Sequence, residues 1–256
     1  KEVTPEDIAK LYEKNAGRDN SSILCIAAWS CACPLSAHHD DADLLTFFQA
    51  GLRYHLQRLE AANHRLASYP QENTWSHAWT IEGLIYGLIL LHEKIDASLL
   101  DEVDRVFAQA AAIRMNAPQT KNHIGGYGNQ RLIHALGLEL HGQWFGREDL
   151  RQQGAKYFEE ALPKVLDESG QVIEQHGPCM HYSQTAFAYA WIYMATRDDG
   201  SHWPRLAHCL RWFQRRMTRD LTPMAGPSAR MYYDKLPSVT ADLLPAICWL
   251  GDAAPD

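Results

Sequence analysis

The sequence of 256 residues lacks an uninterrupted apolar run of the length that a membrane span requires. A transmembrane helix needs about 18 or more consecutive, predominantly apolar residues. The longest apolar stretch, IEGLIYGLILLHEK, begins at Ile81 and is broken by Glu82 and by two glycines. This pattern predicts a buried helix in a protein that does not interact with a membrane.

The chain also lacks an excess or a cluster of basic residues. It has 24 Lys and Arg against 31 Asp and Glu, which gives a formal net charge of −7 at pH 7. Nucleic-acid-binding proteins typically carry a basic stripe with interleaved aromatic residues, so we predict no nucleic-acid partner. An acidic sugar polymer stays compatible with the composition, because a cleft can be locally basic inside an acidic protein.

Cysteines are few, and their spacing is not that of a metal site. There are six, too few for a disulfide scaffold, and Cys31 and Cys33 are separated by one residue. A zinc knuckle needs a two-residue gap and a second pair of ligands. The loop residues His38-His-Asp-Asp41 are interpreted as a solvated polar group, and they lack the DDxxD spacing of all-α terpene synthases because position 44 is leucine. We therefore predict no metal site.

Helical periodicity runs through most of the chain. Between residues 43 and 68, large apolar residues recur on one face of a long helix. The stretch 77–92 is apolar almost all round, which predicts an inner helix. Further helices are predicted at 99–113, 131–145, 149–166, 183–196, 204–217 and 239–250. The longest alternation of apolar and polar residues of the β type covers only residues 171–174.

The connections between these helices alternate between tight turns and long polar segments. Short connections make antiparallel hairpins, whereas long loops at one end of a fold build sites. The long segments, rich in Gly, Pro, Asn and His, are residues 70–76, 116–128, 167–181 and 221–236. The sequence predicts an all-α fold, an incomplete α/α toroid of antiparallel hairpins, that forms one catalytic domain over residues 1–256.

The segment 121–130 combines three glycines with a cluster of polar side chains. Glycines let the backbone approach a ligand closely. The polar residues are Asn122, His123, Tyr127, Asn129 and Gln130. Asn129 alone could serve as a helix N-cap. Capping needs only one of these residues, so the whole cluster favours a binding or catalytic function.

The segment 167–182 begins with a predicted turn at Glu168-Ser-Gly-Gln171. It also carries two histidines and a tyrosine at the start of a predicted helix, namely His176, His181 and Tyr182. This combination suits general acid–base chemistry, because histidine titrates near neutrality and cationic neighbours can tune a tyrosine. Glu174 precedes them as a candidate substrate-binding residue.

Two further segments have the composition of sugar-binding surfaces. Arg230 is followed by Tyr232 and Tyr233; arginine binds carboxylates bidentately, and aromatic faces suit pyranose rings. The segment that contains Arg230 could equally be a surface turn with an aromatic anchor. Trp75 and His77, at another helix start, are interpreted as a wall of the substrate site.

These residues resemble those of the α/α-toroid polysaccharide lyases, which include heparinase II/III-like, chondroitin- or hyaluronate-lyase-like and alginate-lyase-like families. Asn122-His123, ahead of a Gly-rich stretch and an ALGL helix, is similar to the Asn-His motif of heparinase-like enzymes. DESGQVIEQHGPCMHYSQTAFAY resembles the tyrosine-bearing segments of these families, and GPSARMYY resembles an arginine-bearing segment. The resemblance covers about residues 75–234.

The resemblance implies cleavage of a uronic-acid-containing polysaccharide or oligosaccharide by β-elimination. Asn122 or Asn129, with His123 or His176, would neutralise the C5 carboxylate and stabilise the enolate-like intermediate. Tyr182, next to His176 or Arg230, would remove the C5 proton and return one to the leaving oxygen. The resemblance implies no metal and no organic cofactor.

Many such enzymes also carry a C-terminal β-sandwich. This sequence does not predict one, so we expect either a single-domain relative or a fragment. The expected location is the periplasm or outside the cell, although the chain starts at Lys1 without a signal peptide. The sequence does not specify an oligomeric state.

Two alternatives stay open. A glycoside hydrolase would need two carboxylates across a cleft, and Glu72, Glu174 and Asp234 are available. A non-catalytic glycan-binding domain would need neither a pair of carboxylates nor a residue that transfers protons. The segments hold more Asn, His, Tyr and Arg than acids, which favours elimination.

Overall fold

The computed structural model describes residues 20–68, 75–116, 128–172 and 180–216. This part of the chain contains eight α-helices, a 3-10 turn at His92–Lys94 and no strand. The helices are α1 (Asn20–Ala32), α2 (Ala42–Ser68), α3 (Trp75–Leu91), α4 (Ala97–Asn116), α5 (Gly128–Trp144), α6 (Glu148–Val165), α7 (Met180–Arg197) and α8 (Trp203–Gln214). The all-α class is confirmed for these residues, and none of these helices is both long and apolar enough to cross a membrane.

Seven of the predicted helices correspond to α2 through α8, with ends that agree to within three residues. The predicted helix at 239–250 lies outside the described residues. Helix α1 was not predicted, because its sequence SILCIAAWSCA is apolar on nearly all sides and lacks a period of 3.6 residues. Its side chains at Ile26 and Trp29 are more than half exposed.

The chain divides into two compact units. Unit 1 comprises Lys1–Asn122 and Gln143–Arg147, and unit 2 comprises His123–Gly142 and Glu148–Asp256. The prediction of one domain over residues 1–256 stays a prediction.

In unit 1, helices α1 and α3 pack closely side by side. Gly83 faces Ser21, and a Cβ at Gly87 would collide with the ring of Phe48 and touch Ala28. Residue numbers increase together along both helices, so α1 and α3 run parallel. The glycines allow this approach because a larger residue at either position would push the helices apart.

Helices α2 and α4 of unit 1 also run parallel to each other. Arg53 of α2 pairs with Asp96, just before α4, at 3.3 Å. Farther along, Glu60 of α2 pairs with Arg105 at 2.7 Å. The buried Asn63 side-chain amide donates to the backbone oxygen of Val106 at 3.2 Å. The described part of unit 1 therefore contains two pairs of parallel helices, α1 with α3 and α2 with α4, and consecutive helices are antiparallel.

Unit 2 repeats this arrangement with α5 to α8. Helices α5 and α6 are antiparallel, since Glu139 contacts Arg151 near the start of α6 and His134 contacts Tyr157 farther along. Gly154 faces the Ala135 carbonyl oxygen and the Leu138 side chain, where a Cβ would lie 3.2 Å from each. Close contact along this seam therefore depends on a residue without a side chain.

Helices α7 and α8 are the last described helices of unit 2. The rings of Phe158 and Tyr193 stack with centroids 3.9 Å apart, which joins α6 to α7. His202, before α8, contacts Glu159 at 2.7 Å, and Phe213 near the end of α8 meets Phe187 of α7. Helix α7 is therefore antiparallel to α6 and α8, and it runs parallel to α5.

The carboxylate of Glu139 joins three helices of unit 2. It is fully buried, and it accepts hydrogen bonds from Arg151 of α6 at 3.0 Å and from Arg197 of α7. A buried carboxylate is tolerated only when it is paired in this way. The carboxylate in turn raises the pKa of the Arg151 guanidinium through the hydrogen bond and its charge.

We expect Glu139→Gln to lower the free energy of unfolding by about 3 kcal/mol, at the low end of the cost of breaking a buried ion pair. The low end applies because the Arg151 and Arg197 side chains are 35% and 27% exposed and can regain solvent. Urea denaturation followed by circular dichroism measures the change.

Glu148→Gln is the matched control, because Glu148 pairs with the same Arg151 at 3.2 Å while 61% exposed. Exposed ion pairs contribute little to stability, so the control should unfold at nearly the parent urea concentration. If the two variants lost the same free energy of unfolding, burial of Glu139 would not be what makes its ion pairs important.

Candidate functional site

Two of the four long polar segments, residues 116–128 and 167–181, lead into helices that begin at the same end of unit 2, which we call the polar end. Helices α5 and α7 are parallel and both begin there, after residues 117–127 and 173–179. Helix α8 ends there, because Phe213 in its last turn contacts Phe187 in the first half of α7. The third segment, residues 221–236, lies outside the described residues. The fourth segment, residues 70–76, precedes and enters α3 in unit 1.

The start of the segment 167–182 is anchored on α8. Leu166 and Val172 form an antiparallel bridge, and Asp167 Oδ1 accepts hydrogen bonds from the backbone N–H groups of Ser169 and Gln171, both at 2.9 Å. Gly170 has φ of 84°, and a Cβ there would collide with the α8 backbone at His208. The turn predicted from the sequence is present, and only glycine fits its closest approach.

Asn129 is a predicted site residue whose side chain lies among the described residues. Helix α5 begins at Gly128, so Asn129 lies inside the first turn, and the residue is only 2% exposed. Its Oδ1 atom has no hydrogen-bond partner within the described parts of the chain. The N-cap interpretation of Asn129 is therefore not supported, because a cap accepts a hydrogen bond from the helix backbone. Its neighbour Gln130 is partly exposed.

Two polar residues at the polar end were missed by the sequence interpretation. Ser183, fully buried, follows Tyr182 in the first turn of α7, and its Oγ has no partner among residues 20–68, 75–116, 128–172 and 180–216. The same holds for the buried Nη2 atom of Arg131 in the first turn of α5. The available signal was position, because first-turn residues lie beside the unpaired N–H groups of a helix start.

The polar end is locally basic although the chain is acidic overall. Its described residues are the first or last four of each helix that meets there, the turn 166–172 and the two residues after α8. They contain two acidic residues, Asp167 and Glu168. They contain five basic residues, which are Arg131, Lys164, Arg211, Arg215 and Arg216. Such an excess attracts an anionic ligand.

The predicted site residues differ in how much of them the structure describes. Eight lie outside the described residues: Asn122, His123, Tyr127, Glu174, His176, Arg230, Tyr232 and Tyr233. The backbone is described for Trp75 and His77 in the first turn of α3 in unit 1, and for His181 and Tyr182 in the first turn of α7 in unit 2. Tyr182 and Asn129 thus belong to helices that start at the same end of one unit.

Within the described ranges, no group of three or more His, Cys, Asp and Glu side chains could hold a metal ion. The segment His38–Asp41 has a structural explanation. Asp41 Oδ1 accepts hydrogen bonds from the N–H groups of Asp43 and Leu44 at the start of α2, and these bonds, with one from His38, lower the pKa of the Asp41 carboxyl. Asp40 pairs with Lys94.

Cys209 of α8 is fully buried, and burial raises the pKa of its thiol above the ordinary value. A thiol with a raised pKa is a poor nucleophile. Cys209 is therefore a core residue of unit 2.

Comparison with known proteins finds no family model that matches this chain, no similar curated protein and no similar solved structure.

Proposed function

We propose that this chain is the catalytic domain of a polysaccharide lyase that cleaves a uronic-acid-containing polymer by β-elimination. The observation that carries the proposal is that α5 and α7, which follow the polar segments 116–128 and 167–181, begin at one basic end of unit 2. These two segments hold Asn122 and His123, and His176, while Tyr182 lies in the first turn of α7. With Arg230, which lies outside the described residues, these are the residue types that elimination requires.

An incomplete α/α toroid is the architecture that belongs to this proposal. A toroid of hairpins alternates inner helices of one direction with outer helices of the other. Each unit is consistent with that alternation, since its odd-numbered helices run parallel and its even-numbered helices run antiparallel to them. The odd-numbered α5 is also buried continuously from Leu132 to Gly142, as an inner helix should be.

The chemistry follows from the weak acidity of the C5 proton while the adjacent carboxylate is charged. In the proposed mechanism the amide of Asn129 or Asn122, with His123 or His176, donates hydrogen bonds to that carboxylate as charge moves onto it. Tyr182 removes the proton and then protonates the departing O4 atom. Arg230 binds the uronate or lowers the pKa of Tyr182.

The buried Oδ1 of Asn129 is an acceptor, so it supports contact of this amide with a sugar hydroxyl group, beside the carboxylate to which the amide N–H groups would donate. A buried amide oxygen without a hydrogen bond costs about 1–3 kcal/mol. Its partner must come from outside the described residues, either from the adjoining segment of the chain or from a bound molecule. If Asn129 only stabilised the start of α5, its Oδ1 atom would accept a hydrogen bond from a backbone N–H group of that helix.

A hydrolase is a second candidate, and it is less well supported. The two acids at the polar end are Asp167 and Glu168, and Asp167 Oδ1 is already engaged by Ser169 and Gln171 in the turn. The remaining candidates, Glu72, Glu174 and Asp234, lie outside the described residues. A glycan-binding domain without catalysis is the third candidate.

The proposal includes an acidic polysaccharide or oligosaccharide as the partner, with action in the periplasm or outside the cell. Neither a metal nor an organic cofactor takes part in the proposed reaction, and the proposal involves no nucleic acid.

We expect the protein to release an ultraviolet-absorbing product from at least one of alginate, glucuronan, chondroitin, hyaluronan and heparan, because elimination introduces a C4–C5 double bond. Absorbance and reducing ends are followed together, with heat-unfolded protein as the control. New reducing ends without absorbance would indicate a hydrolase. Binding of a polymer without either signal would indicate a glycan-binding domain.

Tyr182→Phe should lower kcat for elimination by at least about 10³-fold, since one hydroxyl serves as base and acid and a single proton-transfer group contributes about 10²–10⁴-fold. The ring is kept, so polymer binding and the unfolding midpoint should stay near the parent values. Tyr193→Phe is the control on the same helix, because the buried Tyr193 hydroxyl has no partner in the described structure. A Tyr182→Phe protein that keeps a third of its turnover would refute the proposed base.

Asn129→Ala and Asn63→Ala separate catalysis from stability. Asn129→Ala should lower kcat by about 10²–10³-fold, as for loss of a donor to a developing oxyanion, with little change in stability. Asn63→Ala should lower stability and leave kcat unchanged, because Asn63 donates to Val106 inside unit 1. If Asn129→Ala destabilises the fold and keeps its turnover, Asn129 is structural, and Asn122 becomes the proposed donor.

A further inference from the structure

Unit 1 contains a pocket of about 250 Å³ that is not part of the proposed lyase site. It lies where α3 ends and α4 begins, beside residues 143–147, whereas the segment 70–76 precedes the opposite end of α3. Its apolar wall consists of Ile85, Leu88 and Leu100. Three rings and two carboxylates complete the lining, namely His92, Trp144, Phe145, Asp101 and Asp104.

The two carboxylates in the pocket have different surroundings. Asp104 faces Arg147, whose guanidinium lies 3.7 Å from the Asp104 carboxylate. Asp101, one helical turn earlier on α4, has no ion pair or hydrogen bond among the described residues. The lining residues therefore carry one negative charge without a counter-ion beside an apolar surface.

The aromatic residues of the pocket add to its preference for a cation. The ring of His92 meets that of Trp144 edge-on, with centroids 5.5 Å apart, and this contact orients the indole. Trp144 is 39% exposed, so part of the indole is open to solvent. The face of an aromatic ring attracts a cation, most strongly for tryptophan.

We propose that this pocket binds a small organic cation, a primary amine with an aromatic or apolar body. The ammonium group pairs with Asp101, and the body packs between Leu88, Leu100 and the indole of Trp144. A water molecule occupies about 30 Å³ in the liquid, so 250 Å³ corresponds to roughly eight heavy atoms. This is the size of an arylalkylamine, and it is too small for a sugar polymer.

The test uses 2-phenylethylamine as the probe, with 2-phenylethanol as its neutral analogue of equal shape and 3-phenylpropionate as the anion. Binding to the full chain is measured by isothermal titration calorimetry without polysaccharide, so its outcome is separate from that of the lyase assay. We expect the amine to bind at least about tenfold more tightly than the alcohol, because only the amine makes a charge-assisted hydrogen bond. Higher salt should weaken binding of the amine alone.

Asp101→Asn should lower the affinity for 2-phenylethylamine at least about tenfold and leave that for 2-phenylethanol unchanged. Glu102→Gln removes an equal charge from the next position of the same helix, outside the pocket lining, and should leave both affinities unchanged. Three results would overturn the inference: no detectable amine binding, equal affinity for amine and alcohol, or an Asp101→Asn protein that binds the amine as the parent does.

Discussion

The burial of Glu139 between two arginines is the constraint on which the geometry of unit 2 depends. A carboxylate without solvent must be held by cations, and here the cations come from α6 and α7. Arg151 lies in the first turn of α6, and Arg197 is the last residue of α7. The ion pairs therefore hold the start of α6 and the end of α7 beside the same residue of α5, Glu139.

That alignment determines at which end of the unit α5 and α7 begin. Because α6 runs against α5, and α7 runs with α5, the starts of α5 and α7 must lie at the same end. The stacked rings of Phe158 and Tyr193 and the contact of Phe187 with Phe213 maintain this arrangement farther along the helices. The common end of α5 and α7 thus depends on the ion pairs of Glu139, nearer the opposite end of the same helices, and on ring contacts along them.

The two places considered for ligand binding have opposite charge. The polar end of unit 2 carries more basic than acidic residues, which suits an anionic polymer. The pocket of unit 1 carries the unpaired charge of Asp101 beside the Trp144 indole, which suits a small cation. The two proposed ligands therefore differ in charge, and the net charge of −7 over the whole chain indicates neither of them.

The positions of seven helices and the turn at Gly170 could be predicted from the sequence, because periodicity and turn chemistry depend on residues close together along the chain. Helix α1 could not, since its apolar residues occur on nearly all sides and leave no periodic signal. The types of residue in the polar segments, and the resemblance to lyases that they carry, were also available from the sequence.

Only the tertiary structure decided which polar residues are buried and what they meet. Glu139 stands in the run ALGLEL as a charge that sequence alone would place at the surface, and its partners lie 12 and 58 residues away. The burial of Asn129 and Ser183, and the pocket that Trp144 shares with Asp101, depend equally on residues distant along the chain. Burial and pairing are set by distances between helices, and those distances are established only when the helices pack.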